Sequence, residues 1–165
     1  MKLNEWTYDY VGDLVRFANN KRIADNLRDF FPNPYTKENA EQFIEICINT
    51  PEDKQVNRAI FYDNKAVGSI SLTFGEDVYS KSAEIGYWLA EDYWGQGIVA
   101  KAIREMCRLA FEEYGMVRVF AAVYSYNKGS CRVLEKNGFI MEGVLKKSVY
   151  KNGKIFDSYM YGLTN

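Results

Sequence analysis

Histidine is absent from this sequence. That one omission rules out Ser-His-Asp and Cys-His catalysis and every histidine-based metal site. The three cysteines, Cys47, Cys107 and Cys131, are odd in number and far apart. They suit reduced cytosolic thiols better than a disulfide frame, and they lack the close spacing of metal ligands, so no metal is expected. No apolar run nears the ~20 residues of a membrane helix. The opening MKLNEWTYDY has no apolar core of the signal-peptide kind, so a cytoplasmic protein that engages no membrane is expected. A net charge of −1 supplies no clustered excess of Lys and Arg, which argues against broad nucleic-acid binding. Proton transfer is left to carboxylate, Tyr, Cys, Ser, Lys or water.

What is present suits a folded domain. Apolar residues make up 47% of 165, enough for one domain over residues 1–165 with a full core. Aromatics reach 16%, with 13 Tyr and 3 Trp. They serve either as packing or as the walls of a cleft for an organic ligand. YVGDLVRFANN places Val11, Leu14, Val15 and Ala18 on one helical face. Pro32 and Pro34 then break the helix, and Thr36 reads as the N-cap of KENAEQFIEICINT. From residue 57 the period becomes two. AIFYDNKAVGSISLTF reads as two strands turning at Asp63-Asn64, and SAEIGYWLA as a third. In that third strand Ala83, Ile85, Tyr87 and Leu89 share one face, while Glu84, Gly86 and Trp88 share the other.

A helical stripe follows through Val99, Ala102, Ile103, Met106 and Ala110, opposite Lys101, Arg104, Glu105, Arg108 and Glu112. MVRVFAAVY reads as a strand buried on both faces. Strand, helix and strand in that order make a right-handed parallel crossover. KGSCRVLEKN is a last helix, stopped by Gly138, and the chain ends in a hairpin turning at Asn152-Gly153. No internal repeat, linker or low-complexity segment interrupts this mixed α/β plan.

DYWGQGIVAKAIREM puts Gly95 and Gly97 at the start of a helix. The glycines satisfy a tight turn or a packing contact, or they let an anion approach the unpaired N–H groups of the first helical turn. No Gly-Lys-Ser/Thr follows, so this is not a Walker loop, and a third glycine of the dinucleotide fingerprint is missing.

AEIGYWLAEDYWGQGIVAKAI together with VYSYNKGSCRVLEKNGF resembles the GCN5-related N-acetyltransferase (GNAT) superfamily, in its ribosomal-protein N-terminal acetyltransferase branch. The likeness runs from IADNLRDFFPNPYT to DSYMYGL, nearly the whole chain. It implies an α/β (α+β) GNAT fold. In that fold a single mixed, mostly antiparallel, twisted sheet is flanked by helices, and two central parallel strands splay around the cofactor. The family motif Arg/Gln-x-x-Gly-x-Gly/Ala falls on Trp94 to Val99, with Val99 replacing Gly or Ala. By that resemblance the backbone at Gly95, Gln96, Gly97, Ile98, Val99 and Ala100 holds the pyrophosphate of acetyl-CoA. Tyr87, Trp88, Leu89 and Ala90 offer N–H groups to the pantetheine arm, one of them polarising the thioester carbonyl. Asn127 bonds the same arm.

The same resemblance implies direct attack of a neutral amine on acetyl-CoA. Glu84 is the expected base, acting through water, and Ser130 the donor to the departing thiolate, with Tyr124 and Tyr126 as substitutes. Read from spacing alone, Glu84 is a surface or salt-bridged strand residue before it is a base, while Ser130 also fits a first-turn helix residue and Asn127 a loop or cap residue. Lys101, Arg104 and Arg108 read as a solvated face with Glu105 and Glu112, from which Lys101 or Arg104 could reach the 3′-phosphate. RDFFPNPY and the hairpin residues Asp157, Tyr159 and Tyr161 are expected to wall the amine pocket. The acceptor implied is a protein N-terminus. The alternatives are a small amine (polyamine, amino acid or aminoglycoside) or a non-catalytic acetyl-CoA sensor, and a homodimer is compatible with the branch.

Overall fold

The computed structural model describes residues 1–165. A short edge strand β1 (Lys2–Asn4) precedes helices α1 (Val11–Ala18), α2 (Lys21–Ala24) and α3 (Lys37–Asn49). Strands β2 (Gln55–Tyr62), β3 (Lys65–Phe74) and β4 (Ser82–Leu89) follow, then α4 (Ile98–Glu112), β5 (Arg118–Tyr124) and α5 (Lys128–Lys136). The hairpin β6 (Ile140–Lys151) and β7 (Lys154–Thr164) closes the chain. The strands form one sheet in the order β1-β2-β3-β4-β5-β7-β6, antiparallel except between β4 and β5.

Local chemistry accounts for the boundaries. The Thr36 hydroxyl accepts from the Asn39 N–H and the Asn39 side chain accepts from the Thr36 N–H, a reciprocal cap worth about 1 kcal/mol. Asp63 and Asn64 both take positive φ, 52° and 57°, the backbone of a two-residue hairpin turn. At the end of α5 the Phe139 N–H reaches the Leu134 carbonyl and the Gly138 N–H that of Glu135, with Gly138 at φ 84°. Those are the two bonds of a glycine-terminated helix, as Gly138 suggested.

Helix α4 lies across β3, β4 and β5, burying Ile98, Ala102, Ile103, Met106, Cys107 and Ala110 in the main core. On the opposite face α1 packs against β3, and the Asp13 carboxylate accepts the Ala66 N–H at 2.8 Å. The smaller core there gathers Trp6, Leu14, Tyr35, Ala40 and Ile44. One expectation is overturned: β5 is buried on one face only. Val119, Ala121 and Val123 are buried, whereas Ala122 is exposed, because no helix covers that face beyond β3. The uncovered face borders the candidate site. No helix is long and apolar enough to cross a membrane.

Candidate active site

The parallel pairing of β4 with β5 lasts for three residue pairs, Ser82, Ala83 and Glu84 with Arg118, Val119 and Phe120. Beyond Glu84, β4 stays paired with β3 as far as Leu89, and beyond Phe120, β5 stays paired with β7 as far as Tyr124. The two strands therefore diverge and leave a gap, which opens into a cleft of about 1650 Å³.

Strand geometry decides which backbone groups face the gap. The Ala90 N–H donates to the Val67 carbonyl at 2.7 Å, toward β3. Successive residues point their N–H groups to opposite sides, so that of Trp88 also faces β3. Only Tyr87 and Leu89 turn their N–H groups into the gap, which corrects the expectation of donors at all four positions from Tyr87 to Ala90. The Leu89 carbonyl accepts from Trp94 Nε1 at 2.8 Å, pinning the following turn to the end of β4.

In that turn Gly95 and Gly97 have φ of 75° and 76°, and nothing lies within 4 Å of a Cβ built on either. Left-handed backbone, rather than crowding, calls for glycine here. Gly97 caps α4 without a side-chain hydrogen bond, and the first turn holds no acidic residue. The N–H groups of Ile98, Val99 and Ala100 have no intrahelical acceptor and stand at the positive end of the helix dipole. These three residues, Gly95 and Gly97 line the cleft. Gln96 does not; its Nε2 folds back onto the Asp92 carbonyl at 3.1 Å.

Across the gap Asn127 caps α5, its Oδ1 accepting the Ser130 N–H at 3.1 Å. Ser130 Oγ and Tyr87 Oη lie 2.7 Å apart, and burial raises the Tyr87 pKa, so the phenol stays protonated. The cleft-lining cations on this side are Lys128, Arg132 and Lys136 of α5. Lys101 and Arg104 are exposed, as a solvated face requires, and neither lines the cleft. Arg132 and Lys136 were not expected here; their i, i+4 spacing, which sets two cations on one helix face, is the signal that could have found them.

Glu84 lies on the opposite face of β4 from Tyr87. Its Oε1 accepts from Arg28 Nη2 at 2.9 Å, with the side chains 64% (Arg28) and 33% (Glu84) exposed. An ion pair that wet is worth about 0–1 kcal/mol, so it does not lock the carboxylate. Arg28 opens the stretch RDFFPNPY expected to wall the amine pocket, and it does line the cleft, but nothing in the sequence marked it as the partner of Glu84. It belongs to a segment after α2 that roofs the cleft and is tied to the hairpin tip. Asn152 donates to Asp25 at 2.9 Å, and the buried Lys151 ammonium donates to the Leu27 carbonyl at 2.8 Å and to Asp29 at 2.7 Å. The Tyr126 hydroxyl also donates to the Asp25 carbonyl.

Asp157, Tyr159 and Tyr161 do not wall this space. The Asp157 carboxylate accepts from the Lys147 N–H, the Tyr161 hydroxyl donates to Glu135, and Tyr159 packs under the Lys128 ammonium. The hairpin residues that do line it are Lys151, Asn152, Lys154 and Phe156. No group of three or more acidic or cysteine side chains is placed to hold a metal ion.

Residues 1–140 match the acetyltransferase (GNAT) domain family. YdaF of Bacillus subtilis (strain 168), provisionally named a ribosomal N-acetyltransferase, is 31% identical over 153 residues, 93% of this chain and 77% of that protein. The ribosomal-protein-serine acetyltransferase of Escherichia coli (strain K12) is 36% identical over 103 residues, 62% of this chain and 56% of that protein. Among solved structures, the microcin C7 self-immunity acetyltransferase MccE in complex with acetyl-CoA and AMP superposes with a TM-score of 0.84 at 27% identity, over 99% of this chain and 91% of that one. The ribosomal L7/L12 α-N-protein acetyltransferase RimL, in complex with coenzyme A, shares the fold with a TM-score of 0.87 at 24% identity, over 98% and 92%. With its diverging parallel strands and uncapped glycine turn, the chain belongs to the GNAT family of acetyltransferases.

Proposed function

We propose that this protein transfers the acetyl group of acetyl-CoA to the α-amine at the N-terminus of a protein or peptide. The observation that carries the reading is the gap between β4 and β5, with the bare N–H groups of α4 at its end. A diphosphate fits the amides of Ile98, Val99 and Ala100, and Arg132 and Lys136 stand ready for a further phosphate. The pantetheine arm then completes the sheet against Tyr87 and Leu89. One of their N–H groups stabilises the oxyanion as the carbonyl is attacked.

The chemistry divides between the two faces of β4. From the Glu84 face the neutral amine attacks the thioester carbonyl carbon, and its surplus proton passes through water to the Glu84 carboxylate. The C–S bond breaks on the other face, where the Ser130 hydroxyl donates a hydrogen bond to the departing thiolate. The protonated Tyr87 phenol supports Ser130 by a hydrogen bond, and the thiolate leaves with the C–S electron pair and takes its proton from water. At pH 7 deprotonating an α-amine of pKa near ~7.8 costs about 1 kcal/mol, against about 4–5 kcal/mol for a lysine. A single carboxylate suits the first task.

Charge also favours this acceptor. Seven Lys and Arg line the cleft against two carboxylates, Asp25 and Glu84, and Asp25 is already paired with Lys21 and Asn152. A polycation such as a polyamine meets repulsion there. The test is calorimetry with coenzyme A, followed by thiol release from acetyl-CoA across peptides with free α-amines, amino acids and polyamines. Binding together with peptide-dependent release is expected. Absence of coenzyme A binding would sink the proposal, and binding without turnover on any amine would leave a sensor.

A further inference from the structure

On the Glu84 face of the sheet, β2, β3 and β4 set their side chains in rows. Register places Asn57, Ser71 and Gly86 in one row, and Gln55, Thr73 and Glu84 in the next. Ser69 sits one row further, beside Trp88. All of these residues line the same cleft as Glu84, whose far wall is α3. The smaller core stops at Ala59, so no helix seals this part of the sheet. The space is more than one ligand needs, since pockets for small ligands run to about 300–1,000 Å³ and the whole cleft is about 1650 Å³.

Over β2 and β3 the surface is polar, uncharged and only partly self-satisfied. Gln55 donates to Thr73, and Asn57 donates to Gln55. The hydroxyls of Ser69 and Ser71 and the Asn57 Oδ1 make no hydrogen bond within the protein. Hydroxyl and amide groups that both donate and accept complement main-chain N–H and C=O groups. The rim is apolar, with Phe30 81% and Ile46 60% exposed at the mouth. Gly86 carries no side chain between this surface and the gap, and Ser71 Oγ lies 3.5 Å from where its Cβ would stand.

We infer that the polar trough over β2 and β3 is a subsite for the main chain of the acceptor peptide behind its reacting residue. The inference rests on the proposed N-terminal acetylation and says where that chain runs. Two strand spacings separate Gly86 from Asn57, a span of about 10 Å, or about three residues of extended peptide. The first residue sits at Gly86 with its amine toward Glu84. The next residues cross Ser71 and Asn57 toward α3, with an apolar side chain resting against Phe30 or Ile46.

The test is a length series of peptide amides sharing one first residue, from a single residue to a hexapeptide. Two hydrogen bonds gained along the trough raise kcat/KM by about tenfold between one residue and four. No further gain is expected beyond four. Ser71→Ala and Asn57→Ala each flatten that ratio, and Asn57→Ser retains part of it. Independently of turnover, a tetrapeptide amide titrated into isotope-labelled protein should shift the amide signals of residues 55–57 and 69–73. Turnover that ignores length, or shifts confined to other strands, overturns the trough while leaving acetylation intact. Faster turnover of a polyamine or aminosugar than of any peptide overturns it as well. If no amine of any kind is acetylated, the underlying reading fails instead.

Discussion

Tyr87 Oη and Ser130 Oγ stand 2.7 Å apart, although 43 residues separate them in the chain. The contact joins β4 to α5 across the gap, so the two hydroxyls act as one unit. Ser130→Ala is expected to lower kcat by about 10²-fold, the scale of a lost hydrogen-bond donor to developing charge. Tyr87→Phe removes only the hydroxyl hydrogen-bonded to Ser130 and should cost less. Steady-state thiol release checks both, with KM for acetyl-CoA held within a small factor. Equal losses in KM and kcat would mean that the pair merely packs.

Glu84→Gln preserves shape and removes the proposed base. The expected outcome is a kcat lower by about 10²-fold with coenzyme A affinity unchanged by calorimetry. Arg28→Ala leaves Glu84 unpaired. Because the ion pair is wet, thermal stability should move by less than about 1 kcal/mol. A large drop in melting temperature for Arg28→Ala would show that the pair is structural.

Gly97→Ala forces a Cβ onto left-handed backbone at φ 76°, at a cost of about 1–2 kcal/mol. No neighbouring atom clashes, so the strain relaxes by moving the backbone that opens α4. Coenzyme A binding should weaken by about tenfold while the fold persists in circular dichroism. The double variant Arg132→Ala/Lys136→Ala should flatten the salt dependence of the same binding, because it removes cations facing the mouth. Unaltered salt dependence would place the outer phosphate elsewhere.

Alkaline pH should destabilise the protein through buried thiols and a buried phenol that take no part in the proposed chemistry. Burial pushes the Cys47 and Cys107 thiols up to about 12 from an ordinary value of 9.0, and the Tyr35 phenol up to about 12 from 10.0. Each folded pKa lies above the unfolded one, so the native state binds more protons through that window. The stability these groups contribute is complete below pH 9 and is lost as pH climbs toward 12. Melting temperature should fall between pH 9 and 11, and Cys107→Ala should fall less steeply than the parent. Parallel slopes for parent and variant would refute the assignment to Cys107.

Much of this architecture was legible in the sequence because local chemistry enforces it. Thr36 announced α3, Asp63-Asn64 and Asn152-Gly153 announced hairpins, and Gly138 announced the end of α5. The period-two pattern placed Glu84 and Tyr87 on opposite faces. What stayed hidden depends on contacts between distant segments. Arg28 reaches Glu84 across 56 residues, and no local pattern encodes that meeting. The open face of β5 was misjudged because an apolar run does not reveal which helices will cover it. SISLT, with hydroxyls at Ser69, Ser71 and Thr73, held a signal in its alternation, but polar residues on a strand face more often meet solvent than a substrate.

Three registered pairs are all the strand pairing between the two halves of the sheet. β1 to β4 lie on one side of this seam and β5 to β7 on the other. The amide hydrogens that face the gap, those of Tyr87, Leu89, Ala122 and Tyr124, should therefore exchange earlier than those inside either half. A molecule spanning the seam stitches the halves together, so occupancy and cohesion are coupled, and the unliganded protein is loosest at the place where it works.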